Sequence, residues 1–259
     1  MAIVTPPPAD AAVRVTDLCT AFGTQVVLKA VNLQVVRGEI LVVLGRSGTG
    51  KSVLLRHLIG LQAPDSGTIQ VLGQDLIGLA EGPLNEVRKK VGFVFQNAAL
   101  YDSLTVVENV EFPLKYHRAL APAERREQAM AILERVEMAD AAGKLPTDIS
   151  GGMRKRVGLA RAMALEPELM LYDEPTAGLD PITAGEISDL ILKLQSERAM
   201  SSIVVTHDML NAELISDRVA LLDQGAIVFE GKFAEMKDSD HPVVALFLHK
   251  SQGTKDPAS

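Results

Sequence analysis

The chain has 259 residues, a formal net charge of -7, 47% apolar residues and 23% charged residues. These proportions are typical of a globular protein with one or two domains and enough apolar side chains for a packed core. The acidic balance argues against a protein that coats nucleic acid, so no nucleic-acid partner is expected. Cys19 is the only cysteine, which excludes an intrachain disulfide and a structural zinc site built from cysteines.

The N-terminal part of the sequence predicts a tail followed by strands. Residues 1–12 contain three consecutive prolines and no signal-peptide pattern, so we expect a flexible tail there. Apolar stretches alternate with turn residues over 13–36, which predicts antiparallel strands. The continuous apolar run 40–44 predicts a buried parallel strand, and the spacing over 53–61 predicts a helix. After a turn, residues 68–72 predict another strand.

The pattern changes in the middle of the chain. From about residue 98 to residue 161 the apolar spacing is mostly helical, and it includes predicted helices over 122–138 and from residue 153 onward. Strand patterns then return, with a predicted helix over 183–196 between the first two of them: 169–172, 203–206, 219–222 and 227–230. This alternation predicts a parallel sheet covered by helices, with a helical insertion. No apolar run reaches the ~18 residues typical of a membrane-spanning helix.

A glycine-rich loop follows the predicted strand 40–44. Its residues match the phosphate-binding pattern G-x-x-x-x-G-K-[ST]: Gly45, Arg46, Ser47, Gly48, Thr49, Gly50, Lys51 and Ser52. Glycines let backbone N–H groups converge on a phosphate, and the positive end of the next helix points at the same place. Lys51 can then reach the terminal phosphates of a nucleotide, and Ser52 can offer its hydroxyl to Mg²⁺. The motif leaves open small-molecule kinases, GTPases, helicases and transporters.

An acidic pair ends a later predicted strand. Asp173 and Glu174 directly follow the apolar run 169–172. An acid at the carboxyl end of a parallel strand faces the same crevice as the phosphate loop. Asp173 therefore suits the binding of Mg²⁺ through a water molecule, and Glu174 suits the polarisation of an attacking water as a general base. The alternative is a solvated pair of carboxylates at the end of a strand.

A second candidate anion site lies about twenty residues before the acidic pair. It follows Ile149 and consists of Ser150, Gly151, Gly152 and Met153. Ser150 is a candidate N-cap, and a serine with two glycines at the start of a helix can bind an anion. One phosphate loop already surrounds a nucleotide, so a second such helix start has no evident use within one chain. The alternative is an ordinary glycine turn capped by serine.

The order of these motifs closely resembles that of ABC-transporter ATPases. Residues 149–153 are similar to the family's signature Leu-Ser-Gly-Gly-Gln, with Ile149 in place of leucine and Met153 in place of glutamine. The resemblance covers residues 13–237 and implies an α/β P-loop NTPase, with a RecA-like parallel-sheet core, an N-terminal antiparallel β-subdomain and an inserted α-helical subdomain. It implies an ATPase domain over 13–240 with the helical subdomain at about 98–161. It also implies a head-to-tail homodimer in which each signature contacts the other subunit's nucleotide.

The same resemblance assigns roles to single residues. Gln96 matches the loop glutamine that binds Mg²⁺ and water and senses the membrane partner, and residues 177–180 match the loop that crosses the dimer interface. His207 matches the switch histidine that contacts the γ-phosphate, whereas a lone histidine is more often structural. Phe22 matches the aromatic residue that stacks on adenine, with a core position as the alternative. The implied cofactors are ATP and Mg²⁺, the implied catalytic residues Glu174, His207 and Lys51, and the implied metal-site residues Ser52, Gln96 and Asp173.

The stretch after Gln96 narrows the resemblance to the Mla-type branch. Residues 95–106 resemble the stretch FQ-x-x-A-L-F-D-S-(L/M)-T-V of these lipid-transporter ATPases, and Met153 and residues 180–182 are similar as well. The branch implies movement of phospholipids or related lipids between membranes. Its implied partners are an integral membrane permease and an MCE-domain lipid-binding protein. The implied location is the cytoplasmic side of the inner membrane, where the chain is attached peripherally through the permease.

Several alternatives stay open. Residues 241–259 form a predicted C-terminal tail whose apolar segment 241–248 packs either on the partner subunit, as in the branch, or on its own domain. The function could instead be that of an ATPase for an importer of amino acids or another small solute. It could also be that of a P-loop kinase for a small molecule, or of a regulatory or DNA-linked ABC ATPase. A kinase gives no reason for the signature residues.

Overall fold

The computed structural model describes residues 10–251, with side chains for residues 10–249. The strands are β1 Ala11–Phe22, β2 Gln25–Val36, β3 Ile40–Leu44, β4 Ser66–Val71, β5 Gln74–Asp75, β6 Val91–Val94, β7 Leu169–Asp173, β8 Ser201–Thr206, β9 Arg218–Asp223 and β10 Ala226–Gly231. The helices are α1 Lys51–Leu58, α2 Glu81–Lys89, α3 Val106–His117, α4 Pro122–Arg135, α5 Gly151–Met163, α6 Pro181–Arg198, α7 Met209–Ile215, α8 Phe233–Lys237 and α9 Pro242–Ser251. Short 3-10 helices cover Ala139–Ala141 and Pro146–Asp148.

The N-terminal strands form a four-stranded antiparallel sheet in the order β2-β1-β4-β5. The long hairpin of β1 and β2 confirms the antiparallel strands predicted over 13–36. Strand β1 begins at Ala11, where it pairs with Val36, so the last two residues of the predicted tail 1–12 belong to the sheet. Pairing with β2 extends the strand beyond the point where alternation alone would start it. Residues 1–9 of the predicted tail lie outside the described part of the chain.

The second sheet has six strands in the order β10-β9-β3-β8-β7-β6. Strand β3 pairs in parallel with β8 and β9, and β7 pairs in parallel with β6 and β8, while β10 is antiparallel to β9. Every residue of β3, β7 and β8 is buried, as expected for parallel strands covered on both faces. The strand order therefore confirms the predicted α/β class, with an antiparallel sheet beside a mostly parallel one.

Four predicted helices have different bounds in the structure. Helix α4 ends at Arg135 instead of residue 138, and helix α5 begins at Gly151 instead of residue 153. Helix α1 runs over 51–58 instead of 53–61, because its first turn is polar and because Gly60, at φ +66°, takes the left-handed conformation that ends helices. Helix α6 begins at Pro181, two residues before its apolar pattern, because Asp180 caps it. The Asp180 carboxylate accepts hydrogen bonds from the backbone N–H groups of Ile182 and Thr183, both at 3.1 Å.

Helices α3, α4 and α5 lie between β6 and β7 and share one apolar core with the parallel sheet. They account for most of the predicted helical segment 98–161, but its first residues form a turn instead. Ala98 and Ala99 in that turn have positive φ angles of 57° and 48°, which no apolar pattern reveals. Five short elements were not predicted from the sequence, because none of them shows a clear periodic spacing of apolar residues: β5, β6, α2, α7 and α8.

The C-terminal helix α9 packs on its own domain. Val244 is fully buried and Phe247 is 9% exposed in the same apolar core as α3–α5, whereas Leu246 is half exposed. The buried side chains of the apolar segment 241–248 therefore pack on their own chain, and contact of this segment with a partner subunit stays a prediction. No helix within residues 10–251 has the length and apolarity to cross a membrane.

Gly92 tests how tightly the parallel sheet packs. A Cβ at this position of β6 would lie 2.7 Å from the carbonyl oxygen of Ala162 and 2.3 Å from the Met170 sulfur. We expect Gly92→Ala to lower the free energy of unfolding by about 1–3 kcal/mol, because overpacking displaces the backbone of α5. The control is Gly82→Ala, since no atom lies within 4 Å of an added Cβ there. Equal urea midpoints for the two variants would contradict this packing.

Candidate nucleotide site

The carboxyl ends of β3, β8 and β7 meet at one edge of the parallel sheet. Strand β8 lies between the other two, with Leu44 paired to Thr206 and Asp173 paired to Val205. The phosphate loop follows β3, Glu174 follows β7 and His207 follows β8, so all three lie at this edge of the sheet. Side chains that the sequence separates by more than a hundred residues are brought together in this way, as is usual at the carboxyl edge of an open parallel sheet.

The phosphate loop has the backbone that its glycines allow. Gly48 and Gly50 have φ angles of +80° and +104°, and a Cβ at Gly50 would lie 2.9 Å from the Leu28 side chain. The loop is closed by the bond from Thr49 N–H to the carbonyl of Arg46, at 3.3 Å. Helix α1 starts directly after Gly50, so its first N–H groups, which have no partner within the helix, face the loop. The loop backbone therefore has the conformation and the free N–H groups that bind a phosphate.

Lys51 and Glu174 form a buried ion pair across the site. The Lys51 ammonium lies 3.3 Å from Glu174 Oε1, with side chains 6% and 11% exposed. The same ammonium donates to the carbonyl oxygens of Gly45 at 2.7 Å and Arg46 at 3.1 Å. A charge removed from water requires such partners, so the pair ties the loop after β3 to the end of β7.

Both carboxylate oxygens of Glu174 are occupied. Oε2 accepts from the His207 ring Nδ1 at 3.0 Å and from the Thr206 hydroxyl at 3.1 Å. Because an ionised carboxylate only accepts hydrogen bonds, this contact assigns the ring proton to Nδ1. Glu174 itself has a φ of +48°, a conformation uncommon for residues other than glycine and often found at functional sites. The carboxylate is thus held in one orientation from two sides.

Asp173 and Ser52 form the second polar pair. The Ser52 hydroxyl donates to Asp173 Oδ1 at 2.8 Å. Desolvation by burial raises the pKa of Asp173, and the Ser52 hydrogen bond opposes that rise. A divalent cation beside this carboxylate would favour its ionised form, and the hydroxyl and carboxylate oxygens are ligands that Mg²⁺ prefers. Among the residues described, no cluster of three or more histidine, cysteine or acidic side chains suits a metal, so a Mg²⁺ here would draw further ligands from phosphate and water.

A cleft of about 380 Å³ collects most of the predicted site. Its walls include the side chains of Phe22, Gln96, Glu174 and His207 together with the phosphate loop. Phe22 is 51% exposed at the rim, so it is not the core residue that the sequence left as an alternative. Gln96 is also exposed, and its side chain lines the same cleft.

The signature residues 150–153 are the exception, because none of them lines this cleft. Ser150 caps α5, where its hydroxyl accepts from the Met153 N–H at 3.2 Å. Gly152 is packed so closely that a Cβ would lie 2.6 Å from Thr183 Cγ2, whereas one at Gly151 would have Leu179 at 3.7 Å as its nearest neighbour. The start of α5 therefore forms one surface with residues 177–183, and Ser150 on it is exposed.

Comparison with known proteins decides the family. The family model described as "ABC transporter" matches residues 28–177. The chain belongs to the ABC transporter family. It is an ABC ATPase domain, and the order of its loop, signature and acidic pair is explained by that membership.

Two relatives show how far the similarity extends. The "Methionine import ATP-binding protein MetN" of Rhizobium johnstonii is 44% identical over 220 residues, which cover 85% of this chain and 60% of the relative. The "Probable ribonucleotide transport ATP-binding protein mkl" of Mycobacterium leprae is 38% identical over 242 residues, which cover 93% of this chain and 70% of the relative. The chain thus spans between 60% and 70% of the length of these curated relatives.

Solved ABC structures share the fold. The ATP-binding cassette MJ0796, described as a dimer in a post-hydrolysis state with ADP and Pi, has a TM-score of 0.78 and 34% identity. The match covers 85% of this chain and 98% of that one. The cbiO1 protein of Clostridium perfringens has a TM-score of 0.81 and 28% identity, and the match covers 94% of this chain and 97% of that one. ABC ATPase domains of this kind dimerise, as the MJ0796 structures show.

Two polar residues that contact this ABC site were missed by sequence reasoning. Thr206 is buried and holds Glu174, and its place next to His207 at a strand end was the available signal. Lys155 is 6% exposed, and its ammonium donates to the carbonyls of Gln96 at 2.5 Å and Glu174 at 3.2 Å. Burial lowers the pKa of Lys155, and the charges of Glu174 and Asp173 oppose that change. No pattern in the sequence marks this lysine.

Lys51→Ala tests the phosphate loop. The variant removes the ammonium that can pair with nucleotide phosphates, while Glu174 keeps its bonds to His207 and Thr206. We expect ATP binding, measured by calorimetry, to weaken at least about tenfold, or ~1.4 kcal/mol. Lys193→Ala, which truncates an exposed lysine of α6, should bind as the parent does. Unchanged affinity in Lys51→Ala, with an unchanged circular dichroism spectrum, would contradict the assignment.

Proposed function

We propose that the chain hydrolyses ATP as a head-to-tail homodimer and that hydrolysis drives a separate integral membrane permease. One observation carries the proposal: the signature residues 150–153 form an exposed helix start outside the cleft that holds Lys51, Glu174 and His207. A second copy can place that helix start over the open side of the cleft, so that two positive helix ends face one nucleotide. The dimeric state of the related MJ0796 supports this arrangement.

Each residue of the cleft has a distinct role in the proposal. Phe22 stacks on the adenine ring, and the phosphate loop with Lys51 holds the β- and γ-phosphates. A nucleotide phosphate competes for the Lys51 ammonium and so frees Glu174 Oε1, which then accepts a proton from the attacking water. His207 keeps Glu174 oriented through Nδ1 and presents the rest of its ring to the γ-phosphate.

Mg²⁺ fits the oxygen-rich side of this cleft. Ser52 would supply its hydroxyl, Asp173 its carboxylate through a water molecule, and Gln96 its side-chain oxygen. The ion, when bound, neutralises phosphate charge that develops during hydrolysis. The hydrogen bond between Ser52 and Asp173 supports the fit, because it already places two of these oxygen ligands side by side.

The surface next to Gln96 suits a membrane partner. A groove of about 460 Å³ is lined by aromatic side chains, with ring centroids of Tyr101 and Phe112 at 4.6 Å and of Phe112 and Tyr116 at 4.8 Å. Phe95, Tyr101 and Tyr116 are 40%, 46% and 63% exposed. An exposed aromatic groove is typical of a docking site for an apolar helix face. We assign it to a helix of the permease, which would hold the chain peripherally on the cytoplasmic side of the inner membrane.

The transported substrate is proposed from the branch resemblance. The stretch 95–106, of which Phe95, Ala99 and Tyr101 line this groove, resembles that of lipid-transporter ATPases of the Mla type. We therefore propose phospholipid or related lipid transport with an MCE-domain lipid-binding protein in the complex. The second candidate is an importer of amino acids or another small solute. It is favoured by the 44% identity to a protein named for methionine import. For the domains we propose an ATPase unit over 13–240, a helical subdomain at 98–161 and a C-terminal segment 241–259.

Glu174→Gln tests the role in water activation. The amide keeps the size of the side chain but cannot take a proton, so we expect ATP binding to persist while steady-state hydrolysis stops. The ATP-bound dimer should then accumulate on gel filtration. The control Glu186→Gln alters an exposed glutamate of α6 that pairs with Arg156, and it should hydrolyse ATP normally. Hydrolysis by Glu174→Gln near the parent rate would contradict this role.

The kinase alternative is tested with the parent protein. Release of phosphate from ATP with water as the sole acceptor argues against a small-molecule kinase.

Purification of the tagged chain from membranes tests the partners. The parent should retain the permease, and Tyr116→Asp should lose it, because the change puts a charge into the aromatic groove. Ile77→Asp, an equally drastic change at a 45% exposed site outside the groove, should retain it. An MCE-domain protein in the sample would support the lipid assignment, and a periplasmic amino-acid-binding protein would favour the second candidate. Retention of the permease by Tyr116→Asp would contradict docking at the groove.

A further inference from the structure

Three residues on one face of helix α5 contact the segment 96–99, and together they form a stripe: Lys155, Gly158 and Arg161. The Lys155 ammonium donates to the Gln96 carbonyl at 2.5 Å, and the Arg161 guanidinium donates to the carbonyls of Ala98 at 2.8 Å and Ala99 at 2.6 Å. Between them, Gly158 lies so close that an added Cβ would be 3.0 Å from Ala98 Cβ. Residues three apart share a helix face, so this stripe follows the segment 96–99 along its length.

The segment 96–99, which these three residues contact, contains two residues in an unfavourable backbone conformation. Ala98 and Ala99 both lie in the left-handed region, which residues with a Cβ rarely adopt. Such conformations persist where the surroundings fix them. The carbonyls of this segment accept from the two cations, and the buried Lys155 ammonium finds in the Gln96 carbonyl one of the partners that a buried charge requires.

Lys155 also reaches the catalytic strand end. Its ammonium, which has three donors and no acceptor, donates to the Glu174 carbonyl at 3.2 Å as well as to Gln96. Glu174 too has a left-handed backbone, at φ +48°. One buried ammonium therefore joins the backbones of the two residues whose side chains face the water and the metal in the proposed reaction.

We propose that Lys155 is a positioning residue for ATP hydrolysis, which fixes the backbones of Gln96 and Glu174 relative to the signature at the start of α5. This inference rests on the proposed function. Lys155 lies one helical turn after the signature, so a shift of α5 moves both backbones with it. Arg161 extends the same connection to the aromatic groove, since its guanidinium lies 6.0 Å from the Tyr101 ring centroid. The signature, the catalytic carboxylate and the groove thus share one rigid element.

Lys155→Met tests the proposal in the full-length chain. Methionine keeps the length of the side chain and removes the donors, so we expect kcat to fall about tenfold to a hundredfold, as small misplacements of reacting groups do. The KM for ATP should stay within about twofold, because no phosphate contact is lost. The value of kcat is taken per mole of ATP bound, from calorimetric stoichiometry, so that a loss of folded protein does not count. Lys155→Arg restores donors to both carbonyls and should recover part of kcat.

Arg156→Met is the matched control. It removes a cation from the next position of α5, which pairs with Glu137 and Glu186 and not with the segment 96–99, so its kcat should equal that of the parent. Should Lys155→Met fail to fold, Lys155→Gln takes its place with the same expected loss, because its amide lacks the length and the charge of the ammonium that joins both carbonyls. An unchanged kcat, or equal losses in Lys155→Met, Lys155→Arg and Arg156→Met, would overturn the positioning role. Absence of hydrolysis in the parent would instead overturn the proposed function.

Discussion

The ion pair between Lys51 and Glu174 is the constraint on which the rest of the structure depends. Both charges are nearly removed from water, so each must keep a partner within a few ångströms. That requirement brings the phosphate loop, which follows β3, close to the end of β7. In the sheet, β8 lies between these two strands. The same placement brings His207 and Thr206 to the second oxygen of Glu174. The buried Lys51 ammonium also lies next to the phosphate loop. Phosphate oxygens of a nucleotide can therefore replace the Glu174 carboxylate as its partner.

The parts of this arrangement that local pattern encodes could be predicted from the sequence. The run 40–44, the glycine loop and the acidic pair specify a buried strand, a phosphate loop and a polar sheet edge, because each needs residue types that few other structures require. Lys155 and Thr206 escaped prediction because their roles depend on partners far along the chain and on no spacing within it. The turn at Ala98 and Ala99 escaped for a similar reason, since cations of α5 hold a backbone that alanine does not favour by itself.

The completed cleft has one open side, and this shapes the functional account. Phe22, the phosphate loop, Gln96 and the Glu174–His207 pair line a cleft of about 380 Å³, and the exposed Ser150 at the start of α5 is not part of its lining. In the proposed head-to-tail dimer, the helix start of one copy covers the cleft of the other. The aromatic groove includes residues of the segment that α5 contacts, so the proposed permease binding and the proposed closure of the dimer would act on the same element.

Complementation between two inactive variants tests this central claim most directly. Lys51→Ala disables the phosphate loop and keeps the signature. Gly151→Asp places a carboxylate at the anion-binding helix start, at a position where the nearest atom to an added Cβ is 3.7 Å away, and keeps the phosphate loop. Phosphate release is measured for each variant alone and for their mixture. The account predicts hydrolysis in the mixture well above the sum of the two, because a mixed dimer contains one intact pair of motifs. A mixture as inactive as its components would contradict it.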